Sequence, residues 1–264
     1  MKRMIIILAI FLPLATAINA QEFRKVTNNA FQRGEKLTFR AYYDALLTGK
    51  VTAGEVTLEI TKENKKISGR NTMHIVGIGK TKGVFNLFFK VIDRYESYID
   101  EEAMIPWVFI RRVNEGGYII NQDVMFNHMQ RVAKSNTATV PVPENIQDII
   151  STFYYARTLD ISHLQPGDSY PIDFFIDDTV YNSHFVYLGL ETIKTAIGTV
   201  RCYKVKPRVA KGSAFSEDYP MILYISADKN RLPILGESKV IVGTVKLELI
   251  NYKGIRNPFE AKVK

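Results

Sequence analysis

Apolar and polar residues alternate one for one along most of this chain, and that pattern decides most of what it can become. Val56, Leu58 and Ile60 alternate with Thr57, Glu59 and Thr61, the period of a strand with one buried face. Runs of this kind are punctuated by tight-turn chemistry. Strand-like segments at Glu35–Leu47, Val51–Thr61 and Ile67–Val76 are joined by Thr48-Gly49 and by Glu63-Asn64-Lys65. Val91–Ile99, Trp107–Val113 and Tyr118–Met125 are separated by Asp100-Glu101-Glu102 and by Asn114-Glu115-Gly116-Gly117. Short strands near Arg131 and Thr137 follow. Later come Tyr170–Ile176 and Thr179–Leu188 around Asp177-Asp178, then Glu191–Thr195, Thr199–Arg208, Met221–Ser226, Leu232–Glu237 and Lys239–Tyr252, with Gly243 as a bulge. Residues 84–89 fit a helical turn or a strand start equally, and 210–218 read as a loop.

Helical period occurs at length once. Ile146, Ile149, Ile150, Phe153 and Tyr154 fall at the spacing of one apolar stripe. Pro141 and Pro143 keep the helix from starting earlier, and Asn145 followed by Asp148 resembles a capping box. So many strands in one sheet cannot lie flat and open. The expectation is a mainly β fold: a large antiparallel meander curled into an open barrel, with one helix at about 144–159 packed against or inside it.

Residues 1–20 combine Lys2 and Arg3 with the apolar run Ile5–Ala15 and small residues up to Ala20, the design of a secretory leader cut before Gln21. The alternative cut lies after Ala17. No Cys stands near this site, so lipid attachment there is not expected. Residues 21–264 are expected to form one β-rich domain, exported and soluble in the periplasm, not membrane-spanning, with an outer-membrane association open to it. A hydrophobic content of 46% and a charged content of 23% suit a globular chain. Cys202 is the only cysteine, so there is no internal disulfide, and its strand context predicts a buried thiol. The net charge of +8 falls to about +6 without Lys2 and Arg3. The charges are scattered, as on a solvated surface, and export argues against nucleic acid as a partner.

Several stretches in order resemble one family. Phe31-Gln32-Arg33-Gly34-Glu35, Ala53-Gly54, Val91–Asp100 with Pro106 and Arg111, Gln147–Arg157, Gly189-Leu190-Glu191 with Gly198-Thr199, and Ser226–Pro233 are similar to the exported bacterial domain of unknown function 3108 family. The resemblance implies an exported β-rich protein whose long meander folds on itself as an open barrel. It implies no activity and no catalytic residues.

Familiar catalytic chemistry is not written in the chain. His74, His128, His163 and His184 are far apart and form no paired metal motif. Asp173, Asp177 and Asp178 supply oxygen, yet a hairpin tip uses such residues anyway. Gly167-Asp168-Ser169 lacks an α/β context, and Gly77, Gly79 and Gly83 lack phosphate-loop spacing. No cofactor and no metal are expected. Asp93 and Glu96 sit on opposite faces of their strand, whereas glycoside hydrolysis needs two acids facing one cleft across about 5–10 Å. Structural pairing is the preferred reading: Asp93, Arg111, Asp148 and Arg157 are the candidates for buried polar contacts that pin the helix. Tyr42, Tyr43, Tyr95, Trp107, Tyr154 and Tyr155 are the candidate ligand-lining set, since aromatics suit sugar stacking or an acyl chain. The expected function is a non-enzymatic binding protein for an envelope glycan or lipid. The alternatives are an assembly or structural partner of an outer-membrane complex, or an envelope polysaccharide hydrolase.

Overall fold

The alternation becomes one sheet. The structure, a computed structural model, describes residues 22–45, 49–208, 219–239 and 244–263. The leader at 1–20, its cut before Gln21, Thr48, the loop at 210–218 and Gly243 lie outside the described residues. In chain order the elements are β1 (Lys36–Ala45), β2 (Gly49–Ile67), β3 (Arg70–Thr81), α1 (Phe85–Phe88), β4 (Ile92–Asp100), β5 (Pro106–Glu115), β6 (Tyr118–Asn127), β7 (Val132–Lys134) and β8 (Thr139–Pro141). Then follow α2 (Ile149–Thr158), β9 (Ser169–Pro171), β10 (Phe174–Ile176), β11 (Thr179–Tyr181), β12 (His184–Thr195), β13 (Gly198–Pro207), β14 (Met221–Ser226), β15 (Pro233–Lys239) and β16 (Thr244–Lys253).

Fourteen strands form one antiparallel sheet in the order β8-β7-β6-β5-β4-β3-β2-β1-β16-β15-β14-β13-β12-β9, and β10 pairs with β11 alone. Two meanders are therefore fused where β1 meets β16. The sheet is not closed: β8 and β9 are its edges, and they are neighbours in sequence with α2 between them. The chain leaves one edge, forms the helix, and re-enters at the other.

Three expectations need correction. The helix begins at Ile149 instead of 144, because Asn145 is left-handed (φ 60°) and Asp148, with extended backbone, is the cap. The Asp148 carboxylate accepts from the N–H groups of Ile150 and Ser151, and Ser151 Oγ accepts from the Asp148 N–H. The run Tyr170–Ile176 is not one strand: Ile172 N–H donates to Ser183 O and Asp173 O accepts from Gln147 N–H, so the segment changes partners midway. Glu191–Thr195 is not separate but continues β12. The segment at 84–89 forms the turn α1.

One core surrounds α2. Ile150, Ser151, Tyr154, Tyr155 and Arg157 are buried on the helix, and the Tyr154 ring meets Phe31 edge-on at 4.9 Å. A second core lies between β1, β13–β16 and the C-terminal segment. On β13, Val200 and Cys202 enter the second core while Val205 and Tyr203 face the first, as alternation requires. Burial pushes the Cys202 thiol up to about 12, that of an inert packing residue.

Polar struts fix the helix at both ends. At its start, Ser97 of β4 donates its hydroxyl to the second oxygen of Asp148. At its end, Arg157 is 2% exposed and makes a two-pronged ion pair, 2.6 and 2.8 Å, with fully buried Glu35 just before β1. The guanidinium also donates to Asn230 O at 3.0 Å and stacks over the rings of Phe31 and Tyr154. Burial opposes the Arg157 charge, but the Glu35 carboxylate outweighs it and raises the pKa. Removing one partner leaves the other buried and uncompensated. Arg157→Met should therefore cost about 3–5 kcal/mol of unfolding free energy. Adding Glu35→Leu to it should restore at least half of that loss in urea denaturation. A double variant no more stable than the single one contradicts the assignment.

Candidate binding groove

The helix has a second face. Ile149, Thr152, Phe153 and Ala156 point away from β4 and toward the inner surface of β12–β15 without filling the space between. A groove of about 160 Å³ remains. Its far wall is Phe185 of β12, Val205 and Pro207 of β13, Leu223 and Ile225 of β14 and Pro233 of β15, and Ile161 and Ile172 cover its flanks. These strands present their inward-facing residues by simple alternation, and the residues are apolar, mostly aliphatic with Phe153 and Phe185 among them, so the lining is almost wholly carbon.

Polar groups stand only at its margins, and most are engaged. His184 Nε2 lies 2.6 Å from the Tyr219 hydroxyl, and Arg157 is committed to Glu35. Arg231 donates to Arg157 O at 3.3 Å and lies 3.5 Å from Asp160. Its buried Nε–H has no partner among the described residues. The groove is an apolar slot with one unpaired guanidinium N–H at its edge.

The six aromatics singled out from the sequence do not line this groove. Tyr42 is buried on β1 with Arg40 and Lys50 over its ring, and Tyr43, next to it, is half-buried. Tyr95 packs 6.3 Å from Phe109, and Trp107 donates its indole N–H to Asp100 at 3.1 Å. Tyr154 is sealed in the core. Tyr155 lies under the Arg24 guanidinium, with its hydroxyl 3.2 Å from that of Tyr170. They are dispersed through core and wall, where large rings supply packing area.

Nor do the four polar candidates meet one another. Asp148 takes Ser97 and Arg157 takes Glu35, both at the helix. Arg111 instead pairs with Asp177 at the β10–β11 turn, where Asp178 accepts from Thr137 and Gln122. That turn is thereby clamped across the sheet to β5 and β6. Asp93 accepts from the Asn114 N–H at 3.1 Å, and burial together with neighbouring Glu115 pushes its carboxyl up to about 6. Glu96, on the other face, is held by Arg94 and His74. Among the described residues no three groups of metal-ligating type gather. Glu35, Ser97 and Arg231 carry no local signal of these roles, because their partners are distant in sequence.

Comparison with known proteins agrees with this architecture. Residues 38–250, about four-fifths of the chain, match the family described as Protein of unknown function (DUF3108). The fold is similar to the crystal structure of a β-barrel-like protein of domain of unknown function DUF1849 from Brucella abortus. That likeness has 10% identity and a TM-score of 0.55, over 89% of this chain and 100% of that chain. A weaker likeness, with 13% identity and a TM-score of 0.39, joins it to a protein from Parabacteroides distasonis described as a lipoprotein, over 88% and 100% of the two chains. No curated protein matches.

The helix cap carries a pH signature. Burial pushes the Asp148 carboxyl up to about 6, against the pull of Ser97, Ser151 and Ile150. An unfolded chain releases this proton near the ordinary carboxylate value of about 3.9. The stability it contributes is thus fully present below about pH 4 and lost as pH rises to about 6. Asp148→Asn keeps a capping oxygen but not the titration. The stability of the wild type relative to this variant should fall by on the order of 2–3 kcal/mol between about pH 4 and 7. Urea denaturation at both limits measures it, and a flat difference refutes the protonated cap.

Proposed function

We propose that this chain, which belongs to the DUF3108 family, holds an apolar, chain-like ligand of the lipid class in the groove between α2 and β12–β15. The observation that carries the reading is the slot's almost wholly apolar lining beside a helix pinned on its opposite face. An engineered cavity of roughly 150 Å³ lined by such side chains takes up benzene. A slot of similar bulk therefore suits a segment of acyl chain, with the remainder of the ligand running out along the rim. Sugars need a dense set of polar contacts, which this lining does not offer. The unpaired Nε–H of Arg231 favours an anionic head group, such as a carboxylate or a phosphate, at the groove's edge.

In this reading residues 21–264 act as one exported domain behind the leader, and the ligand is a component of the cell envelope. Binding, not turnover, is the assigned role.

Two variants test it. Ala156→Phe places a ring in the slot and should weaken binding of a fluorescent long-chain fatty acid by at least about tenfold, equivalent to about 1.4 kcal/mol. Arg231→Gln should weaken the fatty acid but not the corresponding alcohol. Unchanged affinity in Ala156→Phe, or no uptake of either probe by the wild type, overturns the proposal.

A further inference from the structure

The tip of the β3–β4 hairpin breaks the usual rule for strand connections. Such tips are built from Gly, Asn, Asp and Ser, yet this one reads Val84-Phe85-Asn86-Leu87-Phe88-Phe89. The residues fold into the single turn α1, none of whose members is buried. Leu87 is 80% and Phe88 84% exposed, and Val84 is 65% exposed. Side chains so bare project from the sheet, and among the described residues none covers them.

The tip is nevertheless held in place. The Phe89 ring lies so close to Gly116, in the β5–β6 turn, that an added Cβ would come within 2.5 Å of it. The Gly116 N–H donates to Lys90 O at 3.0 Å. Tyr118 and Ile119 on that second hairpin are themselves 64% and 61% exposed, one on each face of their strand. Cations border the tip: Lys80, Lys82 and Lys90 are exposed on the strand end and on either side of α1, Lys82 engaging Glu55 at 2.6 Å. Two carboxyls stand near it: Glu115, which faces Tyr118 across the β5–β6 turn and bridges Val91, and Asp93, paired with Gly79 further along β4; the three lysines outnumber them.

We infer that this rim docks on an anionic phospholipid bilayer, with Leu87, Phe88 and Val84 entering the acyl boundary and the lysines meeting lipid phosphates. The shape and the charge select this occupant. A convex apolar tip needs a yielding apolar medium, whereas a protein partner would have to supply a pocket moulded to it. Apolar residues at the centre with lysines around them reproduce the layering of a bilayer surface. Shallow insertion of this kind is a peripheral attachment and requires no membrane-spanning segment. The inference goes beyond the groove reading and does not depend on it.

Vesicle co-sedimentation tests it with protein beginning at Gln21, since the leader's own apolar run would bind lipid. The wild type should pellet with vesicles of phosphatidylglycerol and phosphatidylethanolamine, and several-fold less with phosphatidylcholine alone. Leu87→Ser with Phe88→Ser should weaken the anionic binding by about tenfold or more, and its melting temperature should not change because neither side chain is packed. Lys80→Glu with Lys90→Glu should abolish the preference for the anionic vesicles. Fatty-acid uptake should be normal in both variants, which separates this test from that of the groove. A wild type that ignores both kinds of vesicle overturns the inference in favour of a protein partner. Equal pelleting of the serine variant and the wild type overturns it as well.

Discussion

The buried pair of Glu35 and Arg157 is the constraint on which the rest of the structure depends. A sheet of fourteen strands that curls but does not close must be held in its curl from within. The chain between its edges passes through α2, and the end of that helix is locked to the residue that precedes β1, at the seam of the two meanders. Burying two charges cancels much of their Coulomb attraction by desolvation. What the pair supplies is registry. Arg157 carries five fixed donors, and four hydrogen bonds run from them to both oxygens of Glu35 and to the carbonyl of Asn230, an arrangement satisfied at one position of the helix.

That lock explains why a groove exists at all. Protein interiors close on empty apolar space unless something rigid prevents it. Here Asp148 is held by Ser97 and Arg157 by Glu35, so both ends of α2 are tied toward the first half of the sheet and the β1 seam. Ile149, Phe153 and Ala156 cannot sink onto Leu223 and Ile225, because such a move would strip two buried polar groups of their partners. The slot along β12–β15 is the geometric remainder of a helix fixed for other reasons.

How much of this was legible depended on the range of the signal. Alternation and turn residues are local, so the strands, their antiparallel order and the one long helix could be read directly. The helix start could not: Asn145 and Asp148 are both good caps, and only the left-handed backbone of Asn145 decides between them. The division of Tyr170–Ile176 was hidden because its cause is Gln147, on another part of the chain. The pattern points to a sheet aspartate as the Arg157 partner, yet a Glu 122 residues away provides it. The six aromatics lie away from the groove for a different reason. Those rings carry large packing area and are spent in core and wall, whereas the groove is lined mostly by aliphatic residues, with Phe153 and Phe185, whose alternation looks like that of any strand.

The sheet also fixes how the two apolar features stand to each other. A row of cross-strand pairs runs from Thr81, at the base of the α1 tip, through Gly54, Ala41, Leu247, Gly236 and Leu223 to Val205 on the groove wall. Seven strands take part, and the row passes directly across the seam of β1 and β16. Backbone ladders of this kind do not hinge, because every step of the row would have to break paired N–H and C=O groups to bend. Whatever orients the tip therefore orients the groove with it. A surface contact at the rim would present the slot at a fixed angle, and the joint between contact and cargo would be the sheet itself, not a moving arm.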